Sequence, residues 1–438
     1  MRRAGKLCGA NGRAMGTGAL WSLVRQTVPS RIMTFSLPRH NFSSGCVEWC
    51  PSLASTTKKA TKESGRRMAN KAANLTPGRV ADIPDVMTAV LLAGHGGFDK
   101  LEYREDVPVP KPGPDEVLIR VAAAGVNNTD INTRIGWYSK RVKSATDEGA
   151  TQSQDADATW TGAPMSFPRI QGADCCGRIV SVGRNVDQSR IGERVINANT
   201  LRFYVDYRPM ESWVFGSECD GAFAQYMKAP SCEAHRVNCG WTDVELASIP
   251  CSYSTAENLL HRAGLKSGEH VVITGASGGV GSAAIQLAKR RQAFVTAVAA
   301  PKKADEMRKL GADRVIARGE SLTGQLGAES VDVVVDVAAG PAFAELLDVL
   351  KKGGRYAVGG AIAGPIVELD VRTLYLKDLT FFGCTFQDDV VFRNLISYIE
   401  RGEIHPFVGK TFPLREIVAA QQEFLSKTTS GKLVLIIP

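Results

Sequence analysis

The chain has 438 residues, 44% hydrophobic and 22% charged, enough apolar material for two domains and unlike a collagen-like or wholly disordered chain. No run approaches the roughly 18 apolar residues of a membrane helix, so no membrane association is expected. The net charge of +8 resides in residues 1–86. The remainder is slightly acidic, which argues against a nucleic-acid groove on the body.

Residues 1–86 carry no steady hydrophobic period and read as a basic N-terminal extension. Arg2, Arg3, Arg13, Arg25, Arg31 and Arg39, many Ser and Thr, and no acid before Glu48 resemble a mitochondrial transit peptide. Equally, translation from Met68 or Met87 would make this stretch an over-extended reading frame. The expected location is the cytoplasm, or the mitochondrial matrix if the extension is a transit peptide. Of the ten cysteines, Cys46 and Cys50 have a loose CxxxC spacing with no second pair at zinc-site distance. Reduced thiols in a reducing compartment are expected.

From Met87 short strands alternate with Gly/Pro turns to about residue 230; Glu116–Ala124 (EVLIRVAAA) alternates like a strand. Residues 139–166 interrupt this with a polar 28-residue segment that reads as a surface insertion, a spacer or a lid. Near residue 243 the rhythm changes. Apolar runs at His270–Thr274, Phe294–Val298, Val331–Asp336, Arg355–Val358 and Leu379–Gly383 alternate with helical patterns. Such runs predict a parallel sheet covered on both faces, hence an α/β fold. Lys432–Pro438 returns to strand character.

The strongest chemical signal is HVVITGASGGVGSAAIQLAK, His270–Lys289. A buried strand runs into Gly275, Ser277, Gly278, Gly279, Val280 and Gly281, and a helix follows. Glycines let the backbone approach a pyrophosphate, and the helix start offers it free N–H groups. An NAD site usually has an acid at the end of the second strand. Here Ala299-Ala300-Pro301 stand there, with Lys302 and Lys303 next and Arg318 beyond the following strand. Missing repulsion and added cations suit a 2′-phosphate, so NADPH is expected, with Lys303 and Arg318 as phosphate contacts.

With these residues in place, the chain over about 87–438 resembles the zinc-independent quinone oxidoreductase branch of the medium-chain dehydrogenase/reductase superfamily. Gly125-Val-Asn-Asn-Thr-Asp130 with Arg134, Gly136 and Tyr138 resembles its GVNxxDxxxRxGxY pattern. Gly172–Gly177 (GADCCG), Gly192–Val195, Gly221–Tyr226 (GAFAQY) and Ser254-Thr255-Ala256 resemble further family positions. The resemblance implies a GroES-like, mostly β catalytic domain over 87–243, a Rossmann NADP-binding domain over 244–385, and a return to the catalytic domain over 386–438. It also implies a homodimer. Zinc-dependent relatives place a Cys at Asn127 and His-Glu at Ala173-Asp174; both ligand positions are changed here, so no metal site is expected.

The resemblance further implies hydride transfer from NADPH to a small-molecule quinone, enone or carbonyl substrate. Asn127 and Tyr138 become the catalytic candidates: Asn127 as a donor to a developing enolate, Tyr138 as a donor, stacking surface or proton relay. Thr255 and Gly359 are implied nicotinamide-side contacts, and Asp130 with Arg134 a structural pair. Trp160 and Phe167 are candidate substrate contacts. Two alternatives stand beside this reading. One is an alcohol/carbonyl dehydrogenase or enoyl thioester reductase of the same superfamily; the other is a non-enzymatic NADPH-binding regulatory protein.

Overall fold

The computed structural model describes residues 83–146 and 157–438. The N-terminal extension and the middle of the 139–166 insertion therefore lie outside the described residues, apart from Ile83–Val86. All described residues fall in one contact unit, Ala73–Pro438.

The first strands are β1 (Val86–Leu92), β2 (Leu101–Pro108), β3 (Glu116–Val126), β4 (Arg169–Ile170), β5 (Cys176–Val182), β6 (Arg194–Asn197), β7 (Thr200–Leu201), β8 (Trp213–Val214), β9 (Tyr226–Pro230) and β10 (Ala234–Arg236). β1 pairs with β2 and β4 in a small sheet. The larger sheet runs β10-β6-β5-β3, with β9 also on β3. Helix α1 (Asn128–Arg134) leaves the end of β3 directly, and α2 (Asp243–Ala247) and α3 (Pro250–Arg262) follow β10. The alternation read for β3 does not appear in its burial: nine of its eleven residues are buried, because it is an interior strand, and it packs with Ile170, Ile179, Phe223 and Met227 in one core.

The second sheet comprises β11 (His270–Ile273), β12 (Phe294–Ala299), β13 (Arg314–Ala317), β14 (Val331–Asp336), β15 (Leu350–Val358) and β16 (Thr380–Gly383). All its pairings are parallel, in the order β13-β12-β11-β14-β15-β16. This is the doubly wound order 3-2-1-4-5-6 of dinucleotide-binding sheets. Helices α4 (Gly279–Arg290), α5 (Ala304–Lys309), α6 (Leu322–Leu326), α7 (Phe343–Val349) and α8 (Val371–Leu376) intervene. Val271 and Ile273 pack with α3 and α4 on one face, while Val272 and Val334 pack with α7 on the other. Burial on both faces is why these strands read as uninterrupted apolar runs.

After α9 (Asp389–Glu400) the chain returns as β17 (Val408–Pro413), α10 (Ile417–Ser426) and β18 (Lys432–Ile436). β18 inserts between β3 and β17. The α/β class expected from the sequence is therefore observed, with a mostly β sheet beside a doubly wound parallel one. Among the described residues no helix is long and apolar enough to cross a membrane.

Candidate functional site

The switch point of the parallel sheet lies between β11 and β14, whose onward connections run in opposite directions. The loop leaving β11 there is Thr274–Gly278. Gly275 has φ +55°, and a Cβ on it would lie 2.8 Å from Val337 Cγ2. A Cβ on Gly281 would meet the Gly275 carbonyl oxygen at 2.3 Å, so the turn closes only with glycine there. Gly278 precedes α4 with no side-chain cap, leaving the first-turn N–H groups for an anion. Ser277 and Val280 complete the cradle as partly exposed residues. Asp336 fixes the neighbouring strand end: it accepts from the Thr274 and Tyr356 hydroxyls, each at 2.5 Å, and from the Ala338 and Ala339 amides. A tight, uncapped, glycine-lined helix start fits the pyrophosphate of a dinucleotide.

Thr255 on α3 and Gly359 after β15 are neighbours: a Cβ on Gly359 would lie 3.4 Å from Thr255 Cγ2. At the other end of the cradle, Lys302 and Arg318 are exposed, and Lys303 is only 6% exposed. Its ammonium donates to the carbonyls of Lys427 and Thr429 at 2.9 and 3.0 Å. Burial, with Lys302 and Arg318 nearby, lowers its pKa. The three cations thus lie together, but Lys303 already has two acceptors. Lys302 and Arg318 are the exposed cations of the three, whereas the ammonium of Lys303, expected as a phosphate contact, already lies on two backbone carbonyls.

The catalytic candidates belong to a buried polar cluster. Asn127 is 5% exposed at the start of α1. Its backbone N–H donates to Asp130 Oδ2 at 2.7 Å, and its Nδ2 donates to Asp174 Oδ2 at 2.9 Å and Gly125 O at 3.3 Å. Its Oδ1 accepts from the Lys432 ammonium. Lys432 also pairs with Asp174 at 2.7 Å and donates to Ser252 Oγ at 3.0 Å. Asp174 Oδ1 accepts from the Cys251 amide at 2.7 Å. Asn127, the expected donor to a developing enolate, has its amide engaged at both ends, with its Oδ1 on the Lys432 ammonium. Lys432 passes beside the start of α4, since a Cβ on Gly279 would come within 3.5 Å of Lys432 Cδ.

The expected Asp130–Arg134 pair does not form. Asp130 accepts from the amides of Asn127 and Gly172, and burial pushes its carboxyl up to about 7. Arg134 points the other way, to Gln421 Oε1 at 2.8 Å, Gly96 O at 2.7 Å and the Phe98 ring. Both side chains find enough partners without each other, so one turn of helix does not join them.

Tyr138 donates to Thr129 Oγ1 at 3.0 Å. Burial raises its hydroxyl pKa, so the group stays protonated at neutral pH. Trp160 packs edge-on against it at 4.9 Å, while Phe167 packs on His95 instead, also at 4.9 Å. The two described arms of the insertion lie over this region. Thr146 N donates to Ile362 O at 3.3 Å, and Trp160 N to Ser217 Oγ at 2.8 Å. Burial pushes the Cys251 thiol up to about 12, which makes it a neutral lining group. Among the described residues no group of three His, Cys, Asp or Glu could hold a metal ion. A cavity of about 540 Å³ lined by Met87, Leu91, Ile170, Phe215 and Met227 shares no residue with this site. Lys432 is the residue that sequence reading missed; it was visible only as the start of a terminal strand.

The sequence matches the alcohol dehydrogenase GroES-like domain family over residues 113–238 and the zinc-binding dehydrogenase family over 279–401. A putative alcohol dehydrogenase structure from Sinorhizobium meliloti is 45% identical, with a TM-score of 0.74, covering 82% of this chain and 99% of that one. The quinone oxidoreductase of Lama guanicoe is 28% identical over 367 residues, 80% of this chain and 98% of that protein. The acryloyl-coenzyme A reductase of Sulfurisphaera tokodaii is 28% identical over 363 residues, 80% and 99% respectively.

Proposed function

Since the chain belongs to the medium-chain dehydrogenase/reductase superfamily, on its quinone oxidoreductase-like side, we propose that it is an NADPH-dependent reductase of quinones or α,β-unsaturated carbonyls that works without a metal. The observation that carries this reading is the contact chain from the glycine-lined start of α4, through Lys432, to Asn127 and Asp174.

The glycine loop would hold the pyrophosphate, with Lys432 adding charge at the same helix start. Thr255 and Gly359 would line the nicotinamide side. Lys302 and Arg318 would take a 2′-phosphate, with Lys303 behind them. When bound, the reduced nicotinamide supplies the hydride. An acceptor that is already electrophilic needs position, a dry cleft and a proton rather than a Lewis acid. Tyr138 would donate to the oxygen that gains charge, and Asn127 would position Lys432. The donor set around Asp174 supports a metal-free site: Asn127 and Ala173 offer no thiolate or imidazole, and the carboxylate already has an ammonium.

An enoyl thioester acceptor is the second reading, favoured by the relative named for acryloyl-coenzyme A. A homodimer is the expected assembly. Edge strand β16 and the adjoining α8 expose Phe381, Tyr375 and Leu376, an apolar edge suited to a second copy.

The test is NADPH oxidation over a panel of quinones, enones and enoyl thioesters, with a chelator present. Turnover is expected, with NADPH preferred over NADH and the preference reduced in Lys302→Ala and Arg318→Ala. Folded protein that binds NADPH yet reduces none of the panel would overturn the proposal.

A further inference from the structure

Asn128 and Asn132 stand one turn apart on α1, on one face of the helix. Asn132 is 4% exposed. Its Oδ1, the Oδ1 of Asn128 and the Oγ of Ser144 are buried atoms with no hydrogen-bond partner among the described residues. Three of the seven such side-chain atoms among the described residues thus fall in this one stretch, so the gap is local. Buried polar atoms are normally paired, and those that are not call for a partner.

The surroundings say where the partner would sit. Asn128 Nδ2 lies 3.5 Å from Thr146 Oγ1, and Trp137 Nε1 donates to the Ser144 carbonyl at 3.0 Å. The first arm of the insertion therefore roofs α1. The Tyr138 hydroxyl donates to Thr129 Oγ1, beside Asn128 on the same helix. The orphaned atoms belong to that arm and to α1, the helix whose Thr129 holds the proposed proton donor. Two of the three are amide carbonyl oxygens, which accept and cannot donate. Their missing partner is a donor.

Building on the reductase reading above, we infer that Asn128, Asn132 and Ser144 form a receptor for a hydrogen-bond donor that the substrate carries outside its reacting double bond. The preferred class is then an enone bearing a hydroxyl or amide N–H. An oxidised, unsubstituted quinone has no donor and leaves the site unfilled. A site built to bond a substrate hydroxyl rejects the analogue lacking it, because its own buried groups are left unpaired.

The experiment compares two enones on the full chain with NADPH. One ends its tail in a hydroxyl and the other in a methyl of nearly equal size. The kcat/KM ratio is the readout, because any loss common to both substrates cancels in it. Wild type should favour the hydroxylated enone by about ten-fold or more, the worth of one well-made hydrogen bond. The ratio should fall towards one in Asn132→Leu and in Asn128→Leu, and part of the way in Ser144→Ala. If Asn132→Leu does not fold, the wild-type ratio and Ser144→Ala still decide. A wild-type ratio near one, with both enones turned over, overturns the receptor and leaves the reductase reading standing. A high ratio unchanged in every folded variant overturns it as well. Turnover of neither enone nor any quinone overturns the reductase reading and the receptor with it.

Discussion

Replacing Lys432 by Met should be among the most damaging single changes in the chain. Lys432 is 4% exposed and its partner Asp174 is 0% exposed, 2.7 Å away. Removing one member of such a pair strands a buried charge, which typically costs 3–5 kcal/mol. Two hydrogen bonds to Asp174 survive, from Asn127 Nδ2 and the Cys251 amide. They offset part of the loss and place the expectation near the lower end, at about 3 kcal/mol. Adding Asp174→Asn to Lys432→Met removes the stranded charge at nearly constant shape. The double variant should therefore be more stable than the sum of the singles predicts, by more than about 1 kcal/mol. Urea unfolding of the four proteins measures the cycle. A loss under about 1 kcal/mol for Lys432→Met, or strict additivity in the double, would refute the reasoning that the pair is charged and desolvated.

Gly281→Ala should raise the Kd for NADPH by at least about ten-fold, since its Cβ would press on the Gly275 carbonyl oxygen at 2.3 Å; titration of cofactor fluorescence checks this, and an unchanged Kd would mean that the loop does not hold the cofactor. Tyr138→Phe should lower kcat with NADPH binding intact, and equal turnover would remove the hydroxyl from the chemistry. Burial holds His235 down at about 4, against an ordinary 6.5. Its folded form binds the proton more weakly than the unfolded one, so its stabilising contribution is complete above pH 6.5 and is lost as pH falls towards 4. His235→Gln should flatten the stability profile over that window, measured by denaturant unfolding at each pH; an unchanged slope would rule His235 out as its source.

The sequence was most informative where structure follows from neighbours along the chain. The apolar runs from His270 to Gly383 became strands because period and composition report burial on both faces directly. The glycine loop was legible for the same reason: strand, tight turn and helix are consecutive. Side-chain partnerships across the fold were not. Lys432 meets Asn127 across 305 positions and Ser252 across 180, and nothing local distinguishes it from a lysine at the end of a strand. From its place just after β12, Lys303 reads as a 2′-phosphate contact. Only the packed loop at Lys427–Thr429 shows that its ammonium is already bonded. Asp130 and Arg134 are an attractive pair by spacing alone, yet backbone amides and Gln421 satisfy them first.

The position of β18 has a consequence for how the chain is made. This strand, Lys432–Ile436, is an interior member of its sheet, joined to β3 on one side and β17 on the other. It lies far along the chain from β3, with the whole parallel sheet between the two in sequence. The parallel sheet from β11 to β16 is contiguous in sequence and can close while the ribosome is still translating. The larger mixed sheet must wait, its centre open, until β18, which follows that whole domain in sequence, has been made. A polypeptide lacking Lys432–Ile436 would thus keep one sheet intact and leave the other without its middle.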